Sequence, residues 1–370
     1  MNASLLKSLR ESLDSTHEQY NLHFAGQMRA TRSPDMMRLM IEAAEAISRD
    51  TKRVEANGDA AEKQSLLDMC SERLALYQSE LAAIESARKT IGRDGLEAAL
   101  LGTRANFIFH RYIRHFAGQD RGTRDLGLLA EMTADLHAIS DQMAALANGP
   151  AAADLEHDRA VVAEYIELFS NERGAVLAAR DSGTLEDQAG RLANLANDQF
   201  HLYSMHFAGR ARVSRRPELL ERMIGTLESV IERMKGLQQI GHHSEHNAGN
   251  IAIVAERLAD WRSELAAVRE QRQSTPLLTM VEALGEAVEP VLATYNEEFA
   301  GLDRLTRELG LLTVLCDALG ELERQMERIG SVEQLTANER NLQMVRDAMV
   351  MFEKEWQAIA EAKTEAAPSE

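Results

Sequence analysis

Four pairs of arginines recur along the chain, each with its members three residues apart: Arg29 and Arg32, Arg121 and Arg124, Arg212 and Arg215, and Arg304 and Arg307. A third basic residue follows each pair at a distance (Arg88, Arg180, Arg272, Lys363), and so does one acid (Glu80, Glu172, Glu264, Glu355). The guanidinium fork bonds a carboxylate or a phosphate through two N–H groups at once. Three cations against one acid leave an excess of about two positive charges per copy beside a helix start, which suits phosphate, sulfate or a carboxylate. The same residues also suit an internal clamp in which arginine pairs with glutamate and a tyrosine hydroxyl. Both readings are open at this stage.

Other reactive side chains carry weaker signals. Tyr20, Tyr112, Tyr203 and Tyr295 each precede a phenylalanine by four residues, which places both rings on one helix face. Core packing with a satisfied hydroxyl is the expected role, and with the four glutamates they make up the expected structural network. His23, His115 and His206 fall in the last helical turn, where a cation suits the dipole; Glu298 stands there in the fourth copy, so a shared catalytic base is not expected. His242, His243 and His246 have spacings open to metal ligation, but without a fuller ligand set they read as an exposed turn. Cys70 and Cys316 occupy positions filled by Val and Ile in other copies and read as small core residues. No metal and no cofactor is expected.

Familiar catalytic motifs are missing. The chain has no glycine-rich phosphate loop, no C-x-x-C pair and no G-x-S-x-G nucleophile turn. A di-iron bundle would need Glu-x-x-His, which does not occur. A non-enzymatic protein is therefore expected, with an enzyme kept as an alternative.

The elements that must position these residues follow from one repeated phrase, Y-x-x-x-F-A-G-x-x-R-x-[TS]-R. Its phenylalanines, Phe24, Phe116, Phe207 and Phe299, lie 92, 91 and 92 residues apart. Four matches in register make internal repetition the first premise. Apolar residues within each copy step by three and four, as in Leu312, Leu315, Leu319, Leu322, Met326 and Ile329, in Leu129, Met132, Leu136, Ile139, Met143 and Leu146, and in Leu67, Cys70, Leu74, Tyr77, Leu81 and Ile84. Such stripes suit left-handed helix packing. The FAG glycine marks a left-handed helix end, and Ser33-Pro34, Asp125 and Arg216-Pro217 mark the next start. Gly58, Gly149, Gly241 and Gly330 fall near a second turn.

The expected fold is all-α: four tandem three-helix-bundle repeats of about 92 residues, about 12 helices, forming an elongated helical-repeat array. The boundaries are 1–91, 92–182, 183–274 and 275–370, the last with a short polar tail. Breaks at Gly92–Gly95, Asp181–Gly183 and Ser274–Pro276 favour turns between copies over continuous helices. Alternate copies would then point in opposite directions. Folding the first copy on paper sets residue 32 opposite about 85 and residue 29 opposite about 88, with Glu80 one turn further in, roughly 7 Å along the axis.

A net charge of −18 opposes nucleic-acid binding, because phosphate contacts need a positive footprint. No apolar run approaches the roughly 18–20 residues of a membrane span, and Met1–Arg10 lacks a signal-like apolar core. A soluble, cytoplasmic, acidic protein is expected. The function anticipated is a non-enzymatic scaffold or binding protein whose FAG turns hold anionic groups of a ligand or partner. The alternatives are a purely structural protein braced by the same residues, and an enzyme acting on a phosphorylated substrate through His115 or His206. The partner is expected to be another protein or an anionic ligand, not nucleic acid or membrane, and the oligomeric state stays open.

Overall fold

A computed structural model describes residues 2–24, 27–55, 60–147, 152–241, 245–299 and 302–366. Among them the regular structure is entirely helical. The α-helices are α1 (Asn2–Phe24), α2 (Pro34–Arg53), α3 (Ala60–Phe116), α4 (Leu126–Leu146), α5 (Ala152–Arg180), α6 (Leu185–Phe207), α7 (Pro217–Gln239), α8 (Glu245–Ser274), α9 (Leu277–Glu298), α10 (Leu309–Val332) and α11 (Thr336–Ala366). Four short 3-10 turns, Arg29–Thr31, Arg121–Thr123, Arg212–Ser214 and Arg304–Thr306, follow α1, α3, α6 and α9.

Helix ends fall where local chemistry demands them. The Ser33 hydroxyl accepts from Met36 N, and Pro34 and Pro217 occupy first helical turns, where no N–H is needed. Asp125 accepts from Gly127 N and Leu128 N. Gly118 and Gly209 take the positive φ anticipated for the FAG glycine, 77° and 73°, but in a four-residue turn closed by Gln119 N→Phe116 O and Arg210 N→Phe207 O rather than as a left-handed helix cap; Gly26, Gly301, Gly58 and Gly149 lie outside the described residues. Gly330 lies in the last turn of α10, just before the turn that follows Val332. Although α3 is assigned as one element, Gly92 breaks it with φ 73° and ψ −179°. Gly183, 91 residues later, has φ 79° between α5 and α6, so a positive-φ glycine separates both pairs of rods.

Four clusters of buried side chains follow the repeat, spanning residues 6–84, 98–169, 189–261 and 280–359. Only Val213 crosses, joining the fourth cluster from the third copy's turn. The stripe of α10 is buried throughout, at a gain of about 1.5–3 kcal/mol for each large side chain. In the first arm of α3 the stripe begins at Leu66, not Leu67, because a step of four to Cys70 keeps it on the core face. Cys70 and Cys316 are both buried and free.

The accessible surface is 18906 Å², against about 14,700 Å² for a compact chain of the same mass, so each bundle keeps much of its own surface in water. The order of cross-contacts gives the relative directions of the copies. Arg104, Arg111 and His115 on α3 pair with Glu327, Glu321 and Asp317 on α10, an antiparallel match that makes the second and fourth turns point the same way. On α4 and α7, Asp125 meets Thr226 while Glu131 meets Arg216, so the third turn points opposite to the second. Glu18 meets Arg307 while Ser33 meets Asp347, which runs α1 against α11 and turns the first copy away from the fourth. Contacts thus extend beyond sequence neighbours, joining the first copy to the fourth and the second to the fourth.

Candidate functional site

Each FAG turn is built the same way from the residues upward. The tyrosine ring packs on the phenylalanine four residues later, with centroids 5.4, 5.3, 5.3 and 5.5 Å apart in the four copies. It also packs on an aromatic ring of the third helix: Tyr77, Phe169, Trp261 or Phe352. The hydroxyl of the motif donates to the carbonyl three residues back, from Thr31, Thr123, Ser214 and Thr306, which closes the 3-10 turn.

The second arginine is the inner one. Arg32, Arg124 and Arg215 donate to Glu80, Glu172 and Glu264 at 2.5, 2.6 and 2.5 Å, and Arg307 pairs with Glu355. All four also donate to the carbonyl five residues back: Gln27, Gln119, Arg210 and Leu302. In the first two copies the guanidinium lies over the phenylalanine ring, 5.8 and 5.7 Å from its centroid. The first, outer arginine joins the same glutamate: Arg29 and Arg121 at 3.2 Å and Arg212 at 3.1 Å. The third arginine caps the turn's carbonyls. Arg88 donates to Ala30 and Arg32, Arg180 to Gly122 and Arg124, and Arg272 to Val213 and Arg215.

The sequence therefore places the arginines, the glutamate and the tyrosine correctly beside one another. Their N–H groups are directed at the glutamate and at backbone carbonyls, so the three cations converge on partners inside the chain. The fourth copy departs from this pattern. Arg304 meets Glu18 of α1 at 3.4 Å instead of Glu355, and Lys363 makes no bond to the turn carbonyls. A lysine ammonium lacks the fork that spans two carbonyls. Burial and the adjacent glutamate raise the hydroxyl pKa of Tyr20, Tyr112, Tyr203 and Tyr295.

His206 departs from the expected C-terminal cation. His206 is buried and faces Glu321, Asp317, Arg210 and Arg222, and burial pushes its pKa down to about 4, so the ring is neutral at pH 7. His115 Nε2 lies 2.8 Å from Asp317 Oδ2. The side chain of His23, and both His242 and His243, lie outside the described residues; His246 is exposed. Among the described residues no group of three or more His, Cys, Asp or Glu could hold a metal ion. Among the same residues no helix is long and apolar enough to cross a membrane.

A second polar constellation has no counterpart in the repeat. Where the second, third and fourth copies meet, Glu131 lies within 3.1, 2.7, 3.3 and 3.4 Å of Arg111, Arg216, Arg222 and Arg324. Arg216 pairs also with Glu321, and Arg111 with Asp317 at 3.5 Å. Burial alone would raise the Glu131 pKa, but Arg222, Arg111, Arg324 and Arg216 together hold it well below the usual carboxylate range. Burial likewise opposes ionisation of Asp317, and His115 and Arg111 overcome it. One sequence signal bears on this network. The repeat position reads Leu39, Glu131, Arg222 and Val314, so two copies carry opposite charges in one column. Those two side chains meet across α4 and α7.

The chain matches no protein-family model, no curated protein and no solved structure.

Proposed function

We propose that this protein is a non-enzymatic helical scaffold, in which each FAG turn is a brace that fixes the entry of the second helix onto the third. The observation that carries this reading is the fate of the motif itself. Tyrosine, phenylalanine, hydroxyl and inner arginine each have an intramolecular partner of the same kind in all four copies. An arginine held by a glutamate on one side and a carbonyl on the other adds shape, not reactivity. His206, the histidine most deeply placed, faces the charges between copies and not the turn arginines, which offers an enzyme no general base at the turn.

One observation favours a second reading, the capture of anionic groups. The outer arginines Arg29, Arg121, Arg212 and Arg304 keep 54, 54, 50 and 36% of their side-chain surface exposed. Thermal shift with inorganic phosphate, ATP and polyglutamate separates the two, each against sodium chloride of equal ionic strength. A brace alone gives no stabilisation beyond the salt control. A shift with any of the three, lost when Arg29, Arg121 and Arg212 are changed to Gln, establishes the second reading.

A further inference from the structure

The outer arginine of the fourth turn bonds elsewhere than in the other three, and the difference has a cause within the molecule. In the first turn Arg29 spends two donors on Glu80, Nε to Oε1 and Nη2 to Oε2. In the fourth, the equivalent Arg304 makes its ion pair with Glu18, brought in by α1, which also comes within 3.7 Å of Arg307. Glu355 keeps only the inner arginine, and its Oε2 is buried with no hydrogen-bond donor. The same motif thus exists in two arrangements: outer arginine on the internal glutamate, and outer arginine on a carboxylate presented by another helix.

We infer that the outer arginine is a movable arm, and that Arg29, Arg121 and Arg212 dock an acidic helix of a partner protein by exchanging their internal glutamate for its carboxylate. This rests on the anion-capture reading and narrows it to a carboxylate carried on a helix. The arms are placed for it, since all three are about half exposed on the rim of the turn, whereas the inner arginines are 17, 13 and 15% exposed and stay with the glutamate. An exposed ion pair changes affinity by no more than about five-fold, so a free anion is held only weakly. Glu18 is held because α1 also packs along α11. A ligand for the open turns must likewise bring an apolar face. The first turn offers the best seat: Met28, 57% exposed, stands next to Arg29, and Leu39 is 56% exposed on the following helix. With a net charge of −18, a second copy of this acidic chain is a poorer occupant than a foreign helix.

The test is arginine side-chain NMR on the full chain, following the Nε–Hε resonances. The probes are a leucine-rich helical peptide of about twenty residues carrying two glutamates four residues apart, its two-glutamine form, and inorganic phosphate. The glutamate peptide should shift Arg29 most, then Arg121 and Arg212, with the glutamine form about five-fold weaker. Arg304 should stay silent in the wild type and join the response in Glu18→Gln, where its arm returns to Glu355. No response to the peptide, or an Arg304 resonance unchanged by Glu18→Gln, overturns the movable arm. If phosphate acts as well as the peptide, the helix-docking inference fails while anion capture stands; if neither acts, both fail. A dimer abolished by Arg29→Gln in sedimentation would assign the site to a second copy and refute the foreign helix.

Discussion

Removing one carboxylate, in Glu172→Ala, should unfasten a whole turn. Arg124 donates to Glu172 Oε1 at 2.6 Å, with the two side chains 13 and 6% exposed, so the pair is effectively buried. Breaking a buried pair from one side costs about 3–5 kcal/mol, because the remaining charge is orphaned. Arg124 retains Gln119 O at 3.4 Å and its place over the Phe116 ring, which puts the expected loss at the lower end, about 3 kcal/mol. The outer Arg121, half in water, adds little. Arg124→Ala and Glu172→Ala should therefore couple by about 2 kcal/mol in a double-mutant cycle, and Arg121 with Glu172 by much less. A global unfolding midpoint averages over several cores and does not locate a loss at one turn. Urea-dependent hydrogen exchange over the 121–124 turn and α5 is the suitable assay. The glutamates form a series: Glu264, Glu80, Glu172 and Glu355 are 12, 8, 6 and 0% exposed, so the same substitution should cost progressively more in that order. A loss under about 0.5 kcal/mol at Glu172, or no coupling to Arg124, would refute the brace.

Three further outcomes follow from local geometry and charge. Gly92→Ala should cost about 1–3 kcal/mol, because φ 73° with ψ −179° is a backbone region essentially reserved for glycine, although its Cβ would meet nothing. Gly183→Ala should cost more, since Asp187 Oδ2 stands 2.9 Å from the new Cβ and belongs to the Thr184 capping box; chemical denaturation compares the two. His206 has a folded pKa near 4 against an ordinary 6.5, so the folded state binds fewer protons between those values. Its contribution is full above pH 6.5 and falls by roughly 3 kcal/mol as pH drops to 4, a slope that His206→Phe should remove from the stability–pH curve. Asp347 has the opposite sign. Burial raises its pKa to about 6, so its contribution is full below 3.8 and is lost as pH rises through 6; Asp347→Asn should stabilise at pH 7.5 and have little effect at pH 4.

The rods, their ends and the turn were legible because each is decided locally. A stripe stepping by three and four has one face to bury, a glycine at φ near 75° needs no side-chain context, and Ser33 or Asp125 caps the helix it precedes. Comparing copies then isolated the Arg, Glu and Tyr that meet, since a residue needed by every turn recurs in every turn. What recurrence cannot show is whether a cation faces solvent or a carbonyl. The arginine donors to Gln27, Gln119, Arg210 and Leu302 point at backbone, which carries no sequence signature. The contacts between copies were hidden for the converse reason. Glu131, Asp317 and Glu321 each occur once, at positions where other copies carry different residues, and only the antiparallel arrangement brings them to Arg111, Arg216 and Arg222. His206 was misread as a helix-end cation because burial between copies, with Arg210 and Arg222 beside it, outweighs the pull of Glu321 and Asp317 on α10, and none of this is visible in the local sequence.

Locality is the claim on which the rest stands: four turns, each held by its own glutamate. Hydrogen exchange read by mass spectrometry on Glu80→Gln, Glu172→Gln, Glu264→Gln and Glu355→Gln tests it directly. Each change should release protection at its own turn, residues 29–32, 121–124, 212–215 or 304–307, and leave the other three as they were. Protection unchanged at the matching turn, or lost equally at all four, would contradict it.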